Sequence, residues 1–191
     1  CLELGMALFR NESMSLIVRT LGLALPGSNK RAVSRGAVSQ ARERLADEPM
    51  KWLFAKSADK WAAESAAAHR WRGLRVYGVD GSTVRVPDSA ANRAHFGGQR
   101  GRDGQTSDYP LVRLATLMVL RSHLLAGARF GPYVSELTYA KDLWPLVPDD
   151  SVVCVDRGFL SAAILLSPTA NASNRRWLTQ AKKSTVWRVV K

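Results

Sequence analysis

Two short apolar runs, each closed by an aspartate, constrain this chain more than any other feature. Leu74, Val76 and Val79 lead into Asp80-Gly81-Ser82, and Ser151-Val152-Val153-Cys154-Val155 leads into Asp156-Arg157-Gly158-Phe159. Short β-branched runs bounded by glycine and proline read as strands, and the unbroken second run reads as a buried one. Val84 and Val86 follow the first aspartate and Pro87 closes them, so this stretch reads as two strands joined near Gly81, with Asp80 at the end of the first. A carboxylate beside a buried sheet is costly to leave unpaired; it needs a hydrogen bond, an ion pair or a cation. In open sheets ligands collect beyond the carboxyl ends of strands, so if the two strands are neighbours their carboxylates converge. Converging carboxylates repel unless a hard cation lies between them, and Mg²⁺ accepts such a pair with water and substrate phosphate completing its shell. Two such ions about 3.5–4 Å apart clamp the attacking and leaving oxygens of an in-line phosphodiester displacement. The expected chemistry is phosphoryl transfer on a nucleic-acid backbone. The same residues admit a plainer reading, in which Asp80 caps a turn before Gly81 and Asp156 pairs with Arg157 or caps a helix starting near Phe159.

The rest of the chain supplies the frame. Leu4, Leu8, Ile17, Leu21 and Leu25 recur at helical spacing over residues 2–25. Val33, Ala37, Val38, Ala41 and Leu45 form the apolar face of a basic amphipathic helix or helix pair over 32–46. Ser34 to Gln40 offers a small-residue turn before a polar, arginine-bearing helix, which fits a helix-turn-helix as well as it fits a plain packing helix. Another helix begins at Pro49, anchored by Trp52, Leu53, Phe54 and Trp61. At Trp71 the composition turns from helix formers to β formers. A helical domain over 1–70, a candidate for DNA binding, and a second domain over 71–191 are therefore expected, giving an α/β chain. Beyond the aspartate-bearing strands, 111–125 reads as one or two buried strands or a helix, 133–146 and 160–166 as helices, and 177–181 and 186–190 as strands. Residues 97–108, with four glycines plus Arg100 and Arg102, read as a basic loop, open either to solvent or to phosphates.

Charge narrows the partner. Lys plus Arg number 28 against 16 Asp plus Glu, a formal +12, so the surface attracts polyanions. Cys1 and Cys154 stand far apart without a CxxC pattern, which excludes a disulfide framework and fits a reducing cytosol. The longest apolar stretch, 110–130, is interrupted by Arg113, Arg121, His123 and Arg129, and no membrane span is expected. The start at Cys1, without Met or a leader, reads as a frame entered in the middle, hence a fragment. Arg175, Arg176, Lys182 and Lys183 belong to a stretch free of acidic residues, suited to backbone contacts that weaken with salt or to a solvated edge. Trp177 and Trp187 read as core residues.

Three stretches together carry a resemblance: Tyr77-Gly-Val-Asp-Gly-Ser-Thr-Val-Arg-Val-Pro-Asp88 with Asn92 and Phe96-Gly97, then Val155-Asp-Arg-Gly-Phe159, then Trp177-Leu-Thr-Gln-Ala-Lys-Lys183. They resemble the DDE transposases of the insertion sequence 4 family, and the opening, with Ala37-Val-Ser-Gln-Ala-Arg-Glu-Arg-Leu45 and Trp52-Leu-Phe54, is similar to that family's amino-terminal domain. The resemblance implies a ribonuclease-H-like mixed β-sheet flanked by helices, incomplete here, and an Asp, Asp, Glu triad using Mg²⁺, with Mn²⁺ as a substitute. Asp80 takes the place of the first acid and Asp156 of the second, both catalytic and both metal ligands. The third lies in a later Tyr, Arg, Glu, Lys signature that this chain does not reach; Glu136 precedes the second acid and does not take its place. Arg157 is placed to position phosphate or to pair with a carboxylate. The implied partners are double-stranded DNA, as terminal inverted repeats and target, and a second protomer in the synaptic complex, in the bacterial cytoplasm. Two alternatives stay open, a non-catalytic DNA-binding remnant and a metal-dependent nuclease.

Overall fold

The computed structural model describes residues 2–23, 34–99, 104, 109–166 and 173–186. The chain divides into two compact units, 1–53 and 54–191. In the first, α1 (Leu2–Leu8) and α2 (Met14–Thr20) are separate helices rather than one, because Ser13 caps a new start by accepting the Leu16 N–H. Gly5 lets the two approach closely: a side chain there would meet Leu21 and Ile17. Ser34 likewise caps α3 (Arg35–Leu45), so Gly36 and Ala37 lie inside a helix, where a helix-turn-helix needs a turn. Arg42 Nε reaches Glu3 Oε1 at 2.6 Å and ties α3 to α1.

The second unit takes in the end of α4 (Glu48–Ser57), a π-helical turn (Ala58–Ala62) and α5 (Ala63–Ala68). These helices lay Ala62 and Ala66 into the core of the sheet, whereas Trp52 is 63% and Trp61 57% exposed. The expected tryptophan anchors are thus replaced by alanines, whose short side chains allow a close approach. It is for this reason that 54–68 groups with the sheet and not with the helices before it.

Five strands run in the order β4-β3-β2-β5-β6, with the short β1 (Arg70–Trp71) folded onto β2 (Leu74–Arg85). After α6 (Ala90–Phe96), β3 (Leu111–Val119) and β4 (Leu125–Gly131) form an antiparallel meander with β2. β5 (Ser151–Val155) and β6 (Arg175–Thr179) then add in parallel. The expected break at Gly81 is absent: β2 continues for 12 residues because β3 pairs with it without interruption from Tyr77↔Val119 to Arg85↔Leu111. Asp80 therefore lies within a strand and not at its end. The 111–125 stretch resolves as β3 plus a hairpin into β4.

One face of the sheet is covered. Tyr77 and Val79, Ala115, Leu117 and Val119, and Val153 and Val155 point into a core closed by Leu143 and Trp144 of the 3₁₀ helix Lys141–Leu146, Ala140 of α7 (Glu136–Ala140), Phe159, and Ile164 and Leu165 of α8 (Ala162–Leu166). The strand period of two sends the intervening residues, Gly78, Asp80, Thr116, Met118 and Cys154, to the opposite face. Trp177 packs against the core as expected; Trp187 and the expected strand 186–190 lie almost wholly outside the described residues. Among the described residues no helix is long and apolar enough to cross a membrane.

Candidate active site where a parallel strand pairing ends

The parallel register fixes the site. β2 and β5 pair from Arg75↔Ser151 to Val79↔Val155, so Asp80 and Asp156 each stand one residue beyond the last rung. Neighbouring strands lie about 4.8 Å apart, which puts the two backbones at about that separation where the parallel pairing ends, β5 stopping at Val155 while β2 continues on β3. Both aspartates are exposed and both line one open cavity of about 360 Å³ with Gly78, Thr116, Met118, Leu120 and Cys154. Gly78 makes room for Leu120, whose Cδ2 would lie 2.6 Å from a Cβ at that position.

Local bonds orient each carboxylate. Asp80 Oδ1 accepts the Gly81 N–H at 2.7 Å. Asp156 Oδ1 accepts the Gly158 N–H at 2.8 Å and so caps the 3₁₀ turn Arg157–Phe159, which ends where the plainer reading expected a helix to start. Fully buried Phe159 anchors that turn to the core. Thr179, at the end of β6, donates its hydroxyl to the Asp156 carbonyl at 3.0 Å. Its role follows from the β5–β6 register, which no local pattern reveals. Burial pushes the Cys154 thiol above its ordinary range, so at neutral pH it adds no charge to the cavity.

The donor set suits a hard cation. Two carboxylates with free oxygens face a space large enough for water and a phosphate, with no nitrogen ligand and only a protonated thiol beside them. Among the described residues no group of three or more His, Cys, Asp and Glu is placed to hold a metal, so the pair stands without a third ligand there. Glu136 lies on the helix-covered face, against Gly81, and does not line the cavity.

The basic residues disperse. Arg157 is exposed on the turn just after Asp156, and Lys182 and Lys183 are exposed on the turn after β6, at the same end of the sheet as the carboxylates. Arg175 begins β6 opposite Ser151, at the other end, where its Nε sits 3.0 Å from Asp149 Oδ1; Arg176 follows it, exposed. Arg100 and Arg102 lie outside the described residues.

Comparison with known proteins gives the chain its relatives. Residues 1–55 match the family model described as Insertion element 4 transposase N-terminal. The chain is 34% identical over 177 residues to "Putative transposase InsZ" of Escherichia coli (strain K12), covering 92% of this chain and 59% of that protein. It is 36% identical over 180 residues to "Transposase InsG for insertion sequence element IS4" of the same organism, covering 94% of this chain and 40% of the relative. It thus spans less than two thirds of the length of either.

Proposed function

This chain belongs to the insertion sequence 4 family of transposases, and from that premise we propose that it carries two of the three acidic residues of a Mg²⁺-dependent DNA-cleaving and strand-transferring site. The observation that carries the reading is the shared position of Asp80 and Asp156 beyond the Val79↔Val155 rung, on the walls of one cavity. The strand order, three antiparallel strands followed by two parallel ones, supports a ribonuclease-H-like sheet. Asp80 and Asp156, each oriented by a backbone amide on one oxygen, would hold Mg²⁺ through their carboxylates. When bound, Mg²⁺ neutralises charge at the scissile phosphodiester and lowers the cost of activating the attacking oxygen.

The chain's own groups supply the rest. Thr179 and Phe159 keep Asp156 at the end of β5. Lys182, Lys183 and Arg157 face the same end of the sheet and neutralise backbone phosphates, in keeping with a formal charge of +12. A third carboxylate, supplied from sequence outside these 191 residues, completes the site on this reading. DNA is the substrate, as element ends and then as target, with two protomers holding the paired ends. The formal charge of +12 also supports a second reading, a non-catalytic DNA-binding remnant.

The test is a strand-transfer assay with Mg²⁺ and paired terminal inverted repeats, using the whole reading frame that contains this chain. Loss of transfer in Asp80→Ala and Asp156→Ala, with DNA binding kept, supports the reading. Undiminished transfer in either variant removes it, and DNA binding without cleavage by the unsubstituted protein favours the remnant.

A further inference from the structure

Gly81 sits in the interior of a 12-residue strand, where glycine packs nothing and weakens the ladder unless another group must approach the backbone. That group is Glu136. An ideal Cβ built at position 81 would collide with Glu136 Oε2 and lie 2.9 Å from its Cβ and 3.0 Å from its Cδ. The Glu136 side chain thus takes the place that a side chain of residue 81 would fill, on the sheet face opposite Asp80.

Glu136 is itself held. Arg113 Nη1 stands 3.6 Å from Glu136 Oε2, and both side chains are largely shielded, 18% and 29% exposed. Arg113 pairs with Thr83 across β2 and β3, donates from Nε to the Val134 carbonyl at 3.2 Å, and lies over the Tyr133 ring at 4.6 Å from its centroid. The strand pairing places Arg113, and two side-chain contacts hold the cation that faces the carboxylate. The peptide they press against is the one whose N–H binds Asp80 Oδ1.

We propose that Glu136 is a positioning residue for Asp80: anchored by Arg113, it holds the Gly81 peptide in place and so sets which Asp80 oxygen faces the cavity. The inference rests on the carboxylate-pair reading above and deepens it. Removing Glu136 leaves the fold intact and frees the 80–81 peptide to rotate, so the cost appears in cation binding and not mainly in stability. Glutamine at 136 keeps the shape and a hydrogen-bonding partner for Arg113, and keeps Asp80 in place.

Two readouts on the 191-residue chain test this, with thermal unfolding as a control. Mn²⁺ affinity by electron paramagnetic resonance is expected to fall about tenfold in Glu136→Ala, the range seen when a partner behind a metal ligand is lost, and to stay close to the unsubstituted value in Glu136→Gln. Gly81→Ala is expected to lose both stability and affinity. Adding Glu136→Ala to it restores the melting temperature, because the clash is gone, but not the affinity. The Gly81 amide resonance, which reports the Asp80 hydrogen bond without metal, is expected to move in Glu136→Ala. A folded Glu136→Ala variant with an unmoved Gly81 amide overturns the positioning role. If the amide moves but the unsubstituted chain binds no Mn²⁺, or Asp80→Ala binds as well as it does, the positioning role stands and the carboxylate-pair reading fails.

Discussion

Asp80 and Asp156 each directly follow one rung of the parallel β2–β5 pairing, Val79↔Val155, although Asp156 lies 76 positions after Asp80 in the chain. The fold spends its parallel pairing on bringing these two positions together. Next to them, Gly78 admits the Leu120 side chain that lines the cavity, and the Thr179 hydroxyl holds the backbone that carries Asp156.

Thr179→Val removes the hydroxyl that binds the Asp156 carbonyl and keeps the shape. Denaturant titration should show a loss of about 0.5–1.5 kcal/mol, the usual net worth of one such bond. Mn²⁺ affinity should fall in the same variant, since Asp156 loses its tie to β6. An unchanged affinity with the stability loss present would confine Thr179 to the fold.

Phe159→Ala empties a fully buried site directly behind the turn that Asp156 caps. A cost of about 3–5 kcal/mol is expected in chemical denaturation. A cost below about 1 kcal/mol would mean that the turn is not anchored as described.

Much of this arrangement is legible in the sequence, and what is not has a common cause. The Val152-Val153-Cys154-Val155 run announces its strand and its aspartate because a short run of mostly β-branched residues favours a strand, although only Val153 and Val155 face the helix-covered core. At Gly81-Ser82 the residues favour a turn, and only β3, some 30 residues later, overrides that preference by pairing straight through. Trp52 and Trp61 look like anchors by size, but the sheet accepts Ala62 and Ala66, since close packing of helix on sheet favours small residues. Thr179 and Glu136 acquire their neighbours through register and tertiary approach, which leave no local trace.

Asp88 offers a pH-dependent check on the segment after β2. Hydrogen bonding from Arg93 lowers its pKa below the ordinary aspartate value, with both side chains about half exposed. A carboxylate with a depressed folded pKa contributes stability that is present above its unfolded value, about 3.9, and lost as pH falls through the folded one. Carboxyl ¹³C titration should therefore place Asp88 below that value, and Asp88→Asn should make stability less sensitive to acid in that window. A midpoint at or above about 3.9 contradicts the pairing.

Cys154 reports on the cavity from within. In a Cys1→Ser background, its alkylation should be slow at neutral pH, because burial keeps the thiol protonated. Mn²⁺ should slow it further in the unsubstituted site and leave it unchanged in Asp80→Ala, since the thiol and both aspartates line one cavity. Equal protection in both would place the cation elsewhere.

The most direct test of the central claim is the Mn²⁺ affinity of the 191-residue chain, measured by electron paramagnetic resonance, with Asp80→Ala, Asp156→Ala and the double variant compared. If the two carboxylates share one cation, each single substitution abolishes most of the binding and the double variant loses little more, because the site is already broken. Binding that survives either single substitution, or losses that simply add, would show that Asp80 and Asp156 do not hold a common ion.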